Sequence, residues 1–261
     1  MYTLHTAFTV VKGGGMASPL TRREVNREAT LVDIRRHARV LLVAEGPTGV
    51  TLRPIARAIG LTAPALYRYY ESREDLLLDL IADLYDELST SMERARDKVT
   101  AGDLTGRFIA VTMSFRTWAR SHPREFELVF ATPVGDPGAP KDERLEVCGR
   151  RFGGVFQGLF IELWMDRPFP VLADDELDPR LRAQLGDWAA DNAIPLPPGA
   201  LAVFLTCWVR LYGMISLEVF GHLSFALSDV DPMFDAMLAE TAGRLGLPWP
   251  AQSVRAEPPG R

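Results

Sequence analysis

Between Arg23 and Glu45 apolar residues recur at Leu31, Ile34, Ala38, Leu41 and Leu42. Steps of three and four residues put them on one face of a helix, and Gly46 with Pro47 ends it. A short helix follows, with Thr51 as its cap, Ile55, Ala56 and Ile59 turned inward, and Gly60 supplying the left-handed backbone that closes it. Thr62 caps a second short helix, which tolerates Pro64 in its first turn and runs through Ala65, Leu66, Tyr67, Arg68 and Tyr69 to Tyr70. Ser72 with Asp75 three residues on reads as a capping box, opening a long helix from Arg73 to Lys98 that carries Leu77, Leu80, Ile81, Leu84 and Leu88 on one face.

Beyond Val99 no period-two alternation persists, and the apolar spacing predicts helices over 104–121, 124–130, 142–166, 179–192, 198–224 and 231–243. The proline- and glycine-rich stretch 131–140 and the segment 167–178 read as loops. The fold class is therefore all-α. Ala200 to Phe220 is long enough to cross a bilayer, but Arg210 at its centre and Glu218 near its end make it a buried helix instead. The last helix carries Val230, Phe234, Met237, Leu238, Thr241 and Leu245 as its stripe. Residues 1–22 read as a flexible leader, with Met16 an alternative start of translation, and 248–261 as a disordered tail. The apolar run near the start lacks a basic segment ahead of it, which is the wrong order for a secretion signal.

At 261 residues with 47% hydrophobic side chains, the chain can build a sizeable core. The two cysteines, Cys148 and Cys207, form no CxxC pair and provide neither a disulfide framework nor a zinc site, which suits a cytoplasmic home. Net charge changes the picture once it is divided. Residues 20–70 hold nine arginines against four acids, or +5, and Lys12 adds one; residues 71–261 carry 19 basic and 30 acidic side chains, or −11. Together these give the net −5. A solvated helix face does not segregate sign in this way, and a basic module ahead of an acidic body is what polyanion binding needs. Base composition of the genome is a competing source of the 26 arginines against three lysines.

Two short helices around a glycine turn form a helix-turn-helix, whose second helix can enter the major groove of DNA. The stretch TLRPIARAIGLTAPALYRYYESREDLL, Thr51 to Leu77, resembles the DNA-binding region of TetR-family transcriptional regulators, with T-x-R-x-I-A, G-[LV]-[ST], L-Y-x-[HY]-[FY] and [KR]-x-x-L in register. The resemblance implies an N-terminal three-helix helix-turn-helix DNA-binding domain over 23–71, plus a larger α-helical ligand-binding and dimerisation domain over 72–247. Thr51, Tyr67 and Arg73 stand where hydroxyl, phenol and guanidinium groups can bond phosphates, and the resemblance assigns phosphate contacts there. Arg53 and Thr62 are counted with them as DNA-binding residues. Ala63, Pro64, Ala65, Arg68 and Tyr69 occupy the part of the second helix that faces base edges in the family. The three small residues suit thymine methyls, and Arg68 is the candidate for guanine, with a phosphate contact as its other reading. Tyr70 matches a buried family position. Arg22, Arg23 and Arg27 read either as an arm that follows the DNA backbone or enters a minor groove, or as a frayed basic terminus.

The helix predicted over 198–224 is apolar nearly all round and must be covered on two sides. In TetR regulators the last two long helices pack against their copies as a four-helix dimer interface. That implies Leu217, Glu218, Phe220, His222, Phe234, Met237, Leu238 and Thr241 at a homodimer contact. Trp208 to His222 further resembles a TetR subgroup named for a Trp-His-Gly signature, although Tyr212 stands at the histidine's place. The aromatics Phe115, Trp118, Phe126, Phe130, Phe152, Phe156 and Phe160 read singly as core and together as the lining of an effector pocket, with Trp208 and Tyr212. Arg116, Cys148, Gln157 and Arg210 are its polar candidates. Glu218 and His222, at i and i+4, read as a hydrogen-bonded pair rather than a metal site.

No GxSxG, GKS or GKT, HExxH or Rossmann glycine pattern is present, and the four histidines supply little for a triad, so the chain reads as no enzyme and needs no cofactor. The resulting expectation is a homodimeric repressor that binds a double-stranded palindromic operator, has no membrane role, and is released by a small, largely apolar effector not yet identified. The alternatives are a non-specific nucleoid-type DNA binder without an effector and, behind it, a helical enzyme.

Overall fold

A computed structural model describes residues 21–133 and 142–249, and the expectations for residues outside those ranges stay outside the description. Ten α-helices lie among the described residues: α1 Arg22–Glu45, α2 Leu52–Ala58, α3 Ala63–Leu66, α4 Arg73–Asp97, α5 Leu104–Ser121, α6 Pro123–Phe126, α7 Glu143–Asp166, α8 Pro179–Asp191, α9 Pro198–Val219 and α10 Asp231–Arg244. No strand occurs among these residues. The chain groups into two compact units, one running to Ser91 and taking in Thr117–Val155, the other comprising Met92–Arg116 and everything from Phe156 on. The division falls inside α4, α5 and α7 and so differs from a cut at residue 71, which follows function rather than compactness.

In the first unit α1 starts at a capping box, Thr21 Oγ1 accepting from the Glu24 amide at 3.3 Å while the Thr21 amide donates to Glu24 Oε2 at 2.7 Å. Arg22, Arg23 and Arg27 therefore open a formed helix. The Ser72–Asp75 box is also present, with reciprocal bonds of 2.9 and 3.0 Å. Ile34, Ala38 and Leu42 of α1 pack with Ile55, Leu66, Leu77 and Ile81 as a buried core. Below it Tyr85, Phe126, Phe130 and Phe152 form an aromatic cluster with ring centroids 4.8 to 5.9 Å apart. These contacts are tilted or edge-on, the favoured geometry for ring pairs.

Two sequence expectations are corrected here. Thr51 has the extended backbone of a cap, but its hydroxyl makes no capping bond. The second short helix is α-helical only to Leu66, because from Tyr67 the chain tightens into bonds such as Tyr69 N–H to Leu66 O at 2.8 Å.

In the second unit Phe115 stacks on Trp208 at 6.0 Å and Phe160 meets Phe204 edge-on at 4.9 Å. Helix α9 is long and apolar enough to cross a membrane, yet half of its most apolar window is buried within the chain. It ends at Val219 rather than near Ser224. Gly221, at φ +69°, lets the His222 amide reach back to Leu217 O at 2.8 Å, a closure that stops the helix whatever the hydropathy beyond it.

Candidate nucleic-acid interface and ligand cavity

In the helix-turn-helix, α2 ends as Gly60, at φ +73°, turns the chain so that the Leu61 amide bonds Ala56 O at 2.9 Å. Thr62 then caps α3 through the Ala65 amide at 3.3 Å. This fixes the display of the recognition segment. Thr51, Arg53, Thr62, Pro64, Tyr67 and Arg68 are exposed, Ala63, Ala65 and Tyr69 half-buried. Tyr70 is buried, and its hydroxyl donates to Asp79 Oδ2.

The arginines of residues 20–70 divide by partner. Arg35, Arg36 and Arg39 are held by carboxylates of α1, α4 and α6. Arg22, Arg23, Arg53, Arg57 and Arg68 meet no carboxylate among the described residues, and Arg27 lies over the Tyr69 ring at 5.1 Å. Of this un-neutralised charge, Arg53 and Arg57 lie on α2, Arg68 follows α3, and Arg27 reaches the Tyr69 ring beside it. Arg57, not picked out in the sequence, joins it from the exposed face of α2, four residues after Arg53.

Arg73 is placed differently from its expected role. Its Nε donates to Val50 O at 2.7 Å and its Nη2 to Pro47 O at 2.5 Å. The side chain ties the start of α4 to the turn before α2, leaving less of it for phosphate.

The second unit contains a small, partly open cavity. Phe108 and Thr112 of α5, Phe156 and Phe160 of α7, Phe204, Cys207, Trp208 and Leu211 of α9, and Met237, Leu238 and Thr241 of α10 line it. Of the expected pocket residues, Phe156, Phe160 and Trp208 are in that wall. Phe115 and Tyr212 stand behind it, each stacked on Trp208. Trp118, Phe126, Phe130, Cys148 and Phe152 belong to the first unit, four of them as core aromatics. Gln157 is buried with its Nε2 unpartnered and is not part of the lining. Sequence reading had passed over Phe108, Thr112, Phe204, Cys207 and Leu211. Their signal was helical spacing, since 108 and 112 on α5 and 204, 207, 208 and 211 on α9 each share a face.

Arg116 does not reach the cavity as a polar anchor. It is 3% exposed, gives Nε and Nη2 to the two carboxylate oxygens of Glu218 at 2.7 Å, reaches Asp231 Oδ1 at 2.6 Å, and lies over the Phe234 ring at 4.1 Å. Glu218 is thereby committed to α5 rather than paired with His222 as expected. Of the expected dimer residues, Phe234, Met237, Leu238 and Thr241 are buried inside their own unit, the last three on the cavity wall. The stripe of α10 faces inward because it completes the chain's own core. Leu217 and His222 are exposed and Phe220 half-buried. Beside them Val209, Phe225 and Met233 are 65%, 87% and 53% exposed.

Comparison with known proteins agrees with this arrangement at both ends of the chain. Residues 34–80 match the family of bacterial regulatory proteins, tetR family, and residues 108–241 match the tetracyclin repressor-like C-terminal domain. An HTH-type transcriptional regulator of Mycobacterium tuberculosis is 33% identical over 218 residues, covering 80% of this chain and 88% of its own. A solved protein, SCO4313, superimposes with a TM-score of 0.66 at 28% identity, over 85% of this chain and 100% of that one. RolR, solved in complex with resorcinol, shares the fold with a TM-score of 0.51 at 15% identity, over 87% and 98% of the two chains. The chain is a DNA-binding regulator of transcription and belongs to the TetR family.

Proposed function

We propose that this regulator is a homodimeric repressor whose two recognition segments bind successive major grooves of a palindromic operator, and that a small, largely apolar molecule in the second unit's cavity releases it. The observation that carries the reading is the exposed α2–α3 surface, where Arg53, Arg57 and Arg68 have no carboxylate partner among the described residues. Such a surface binds phosphate, and the small side chains of Ala63, Pro64 and Ala65 leave room for close approach to base edges. The exposed apolar residues Val209 and Leu217 of α9, Phe225 of the turn after it and Met233 of α10 support a second copy as their cover. An uncharged lining supports an apolar effector, and RolR, of the same fold, was solved with a small aromatic ligand. A cytoplasmic location, with no membrane or cofactor involved, follows from this role.

The test is selection of duplexes from a random DNA pool by the purified protein at fixed physiological salt, because phosphate contacts make affinity steeply salt-dependent. The expected result is one enriched palindrome with half-sites about one helical turn apart or slightly more. Weak binding without enrichment would replace this reading with that of a nucleoid-type DNA binder.

A further inference from the structure

Of the thirteen large apolar residues that stand exposed among the described residues, four lie on α1. Val25, Val32, Val40 and Val43 are each at least half exposed, and the exposed Ala29 and Arg36 complete their row at steps of three and four residues. At 3.6 residues per turn the row occupies about 80° of the helix surface and lies opposite Ile34 and Ala38, which face the core. Folding gives no reason for it, since valine is a poorer helix former than alanine, glutamate or lysine at a solvent-facing position. A helix that is apolar on two opposite faces has a second surface to cover.

Charge indicates the cover. Asp33 and Arg36, joined by an exposed ion pair of 3.0 Å, stand at the middle of the row. In a two-fold contact residue i of one copy meets j of the other and j meets i. With two α1 helices antiparallel and the axis at the level of residue 34, Val25 of one copy meets Val43 of the other, Ala29 meets Val40, and the stem of Arg36 lies on Val32. Asp33 then faces the Arg36 guanidinium of the other copy on both sides of the axis, whereas parallel helices would set like charges against each other. The row runs about 27 Å and is about 10 Å wide, so it covers roughly 540 Å2 on the two copies together. That is about half of the 1,000 Å2 that a stable interface clears, so the contact forms only where something else holds the copies together. A shared duplex does so by raising their effective concentration.

We propose that the outer face of α1 is a docking surface for α1 of a second regulator dimer bound beside the first on the same DNA, the two helices packing antiparallel through their valine rows with Asp33–Arg36 pairs across the axis. This rests on the reading of the chain as an operator-binding dimer, and it makes occupation of neighbouring sites cooperative.

Two measurements on the full chain test it. The first titrates duplexes that carry one or two copies of the selected palindrome, with the centre-to-centre distance stepped through one helical turn of about 10.5 base pairs. At the best spacing the second dimer should bind at least about fivefold more tightly than the first, the low end of coupling between sites. Val32→Gln with Val40→Gln should abolish that gain and leave single-site affinity and the melting temperature unchanged. Asp33→Arg and Arg36→Asp should each abolish it alone, and an equal mixture of the two should restore it, which a bond within one helix does not do. The second measurement applies a short bis-maleimide to an equal mixture of Val25→Cys and Val43→Cys chains on a duplex of unselected sequence. The two variants should be joined to each other and neither to itself, while the buried Cys148 and Cys207 stay unreactive. This second readout needs no palindrome, so failed operator selection and a failed docking surface are told apart. Joining in the absence of DNA would place the pairing inside a single dimer and overturn the contact between dimers. Cooperativity retained by the glutamine variant, or no joining on DNA, would overturn the docking surface itself.

Discussion

At the scale of single residues, the arginines show how one side-chain type does opposite work according to what faces it. Arg35 is 9% exposed and is surrounded by Glu28 at 3.0 Å, Asp79 at 2.9 Å and Asp83 at 2.6 Å. Burial pushes the Asp83 carboxyl above its ordinary range, and Arg35 only partly offsets that. Arg35→Ala takes one of two cations from Asp79 and Asp83, which keep Arg144, and should cost about 1–3 kcal/mol by chemical denaturation, the scale of lost hydrogen bonds to charged groups. Arg68 faces nothing that stability depends on. Arg68→Ala should leave the melting temperature within a degree or so, while costing about tenfold or more on the preferred operator and less on variants altered at the contacted base. Arg73→Ala should act on both properties, weakening all operators alike and lowering the melting temperature, because it frees the turn at Pro47–Val50. Competition binding across operator variants together with calorimetry separates the two. Matching losses for both mutants on every operator would contradict the assignment.

At the scale of elements, helix ends carry a second lesson. Helices α2, α8, α9 and α10 all finish with the same closure, the amide two residues past the last full turn bonding back across it: Leu61 to Ala56 O, Ile194 to Ala189 O, His222 to Leu217 O and Leu247 to Ala242 O. The left-handed position is glycine in three of them and Ala193, at φ +50°, in α8. An L-residue there costs about 1–2 kcal/mol, partly offset by the greater freedom glycine has when unfolded. Ala193→Gly should therefore raise stability by about 0.5–1 kcal/mol in urea melts, and a loss would mean that the Ala193 methyl has a packing role. A second test concerns Glu87. It joins α1, α4 and α5 by accepting from Arg39 and from Trp118 Nε1 at 2.8 Å. Burial pushes its carboxyl up, but the bonds from Arg39 and Trp118 outweigh that and hold it below the ordinary 4.5. A depressed carboxyl stabilises the fold above its unfolded value and loses that contribution as pH falls through the folded one. Glu87→Gln should thus cost about 1 kcal/mol near neutral pH, with the gap closing at pH below 4.5. A gap that persists in acid would assign the loss to packing.

Element bounds were legible where periodicity and punctuation agreed: α5 is Leu104–Ser121 as the spacing predicts, and α1 differs by one residue. The end of α9 was misjudged because apolar residues continue past Gly221, and only the backbone bond shows that the helix has closed. The recognition surface was readable because its residues lie within one short stretch of chain. The cavity was not. Its wall draws on α5, α7, α9 and α10, and a helical stripe announces burial without saying whether core, ligand or partner lies opposite. Met237, Leu238 and Thr241 illustrate this, since their stripe was assigned to a partner copy and faces the chain's own interior.

At the scale of the whole molecule, charge and symmetry must work together. Residues 71–261 carry −11 and are repelled by DNA, so attraction is confined to the basic module and a single module offers few phosphate contacts. Two modules on one operator multiply their affinities through effective concentration, typically by about 100- to 10,000-fold, provided that the dimer holds them at the right spacing. If the outer faces of α9 and α10 supply the contact, a charge placed there should separate the copies without disturbing the cavity. Val209 is 65% exposed and Leu217 41%, and neither lines the cavity. Val209→Glu with Leu217→Glu should halve the mass measured by sedimentation and preserve the melting temperature of the chain. Operator affinity should fall by at least about 100-fold while affinity for an isolated half-site stays constant, and the slope of log affinity against log salt should drop to about half. An unchanged sedimentation mass would place the dimer contact elsewhere, whereas halved mass with unchanged operator affinity would mean that the two recognition segments do not act as a pair.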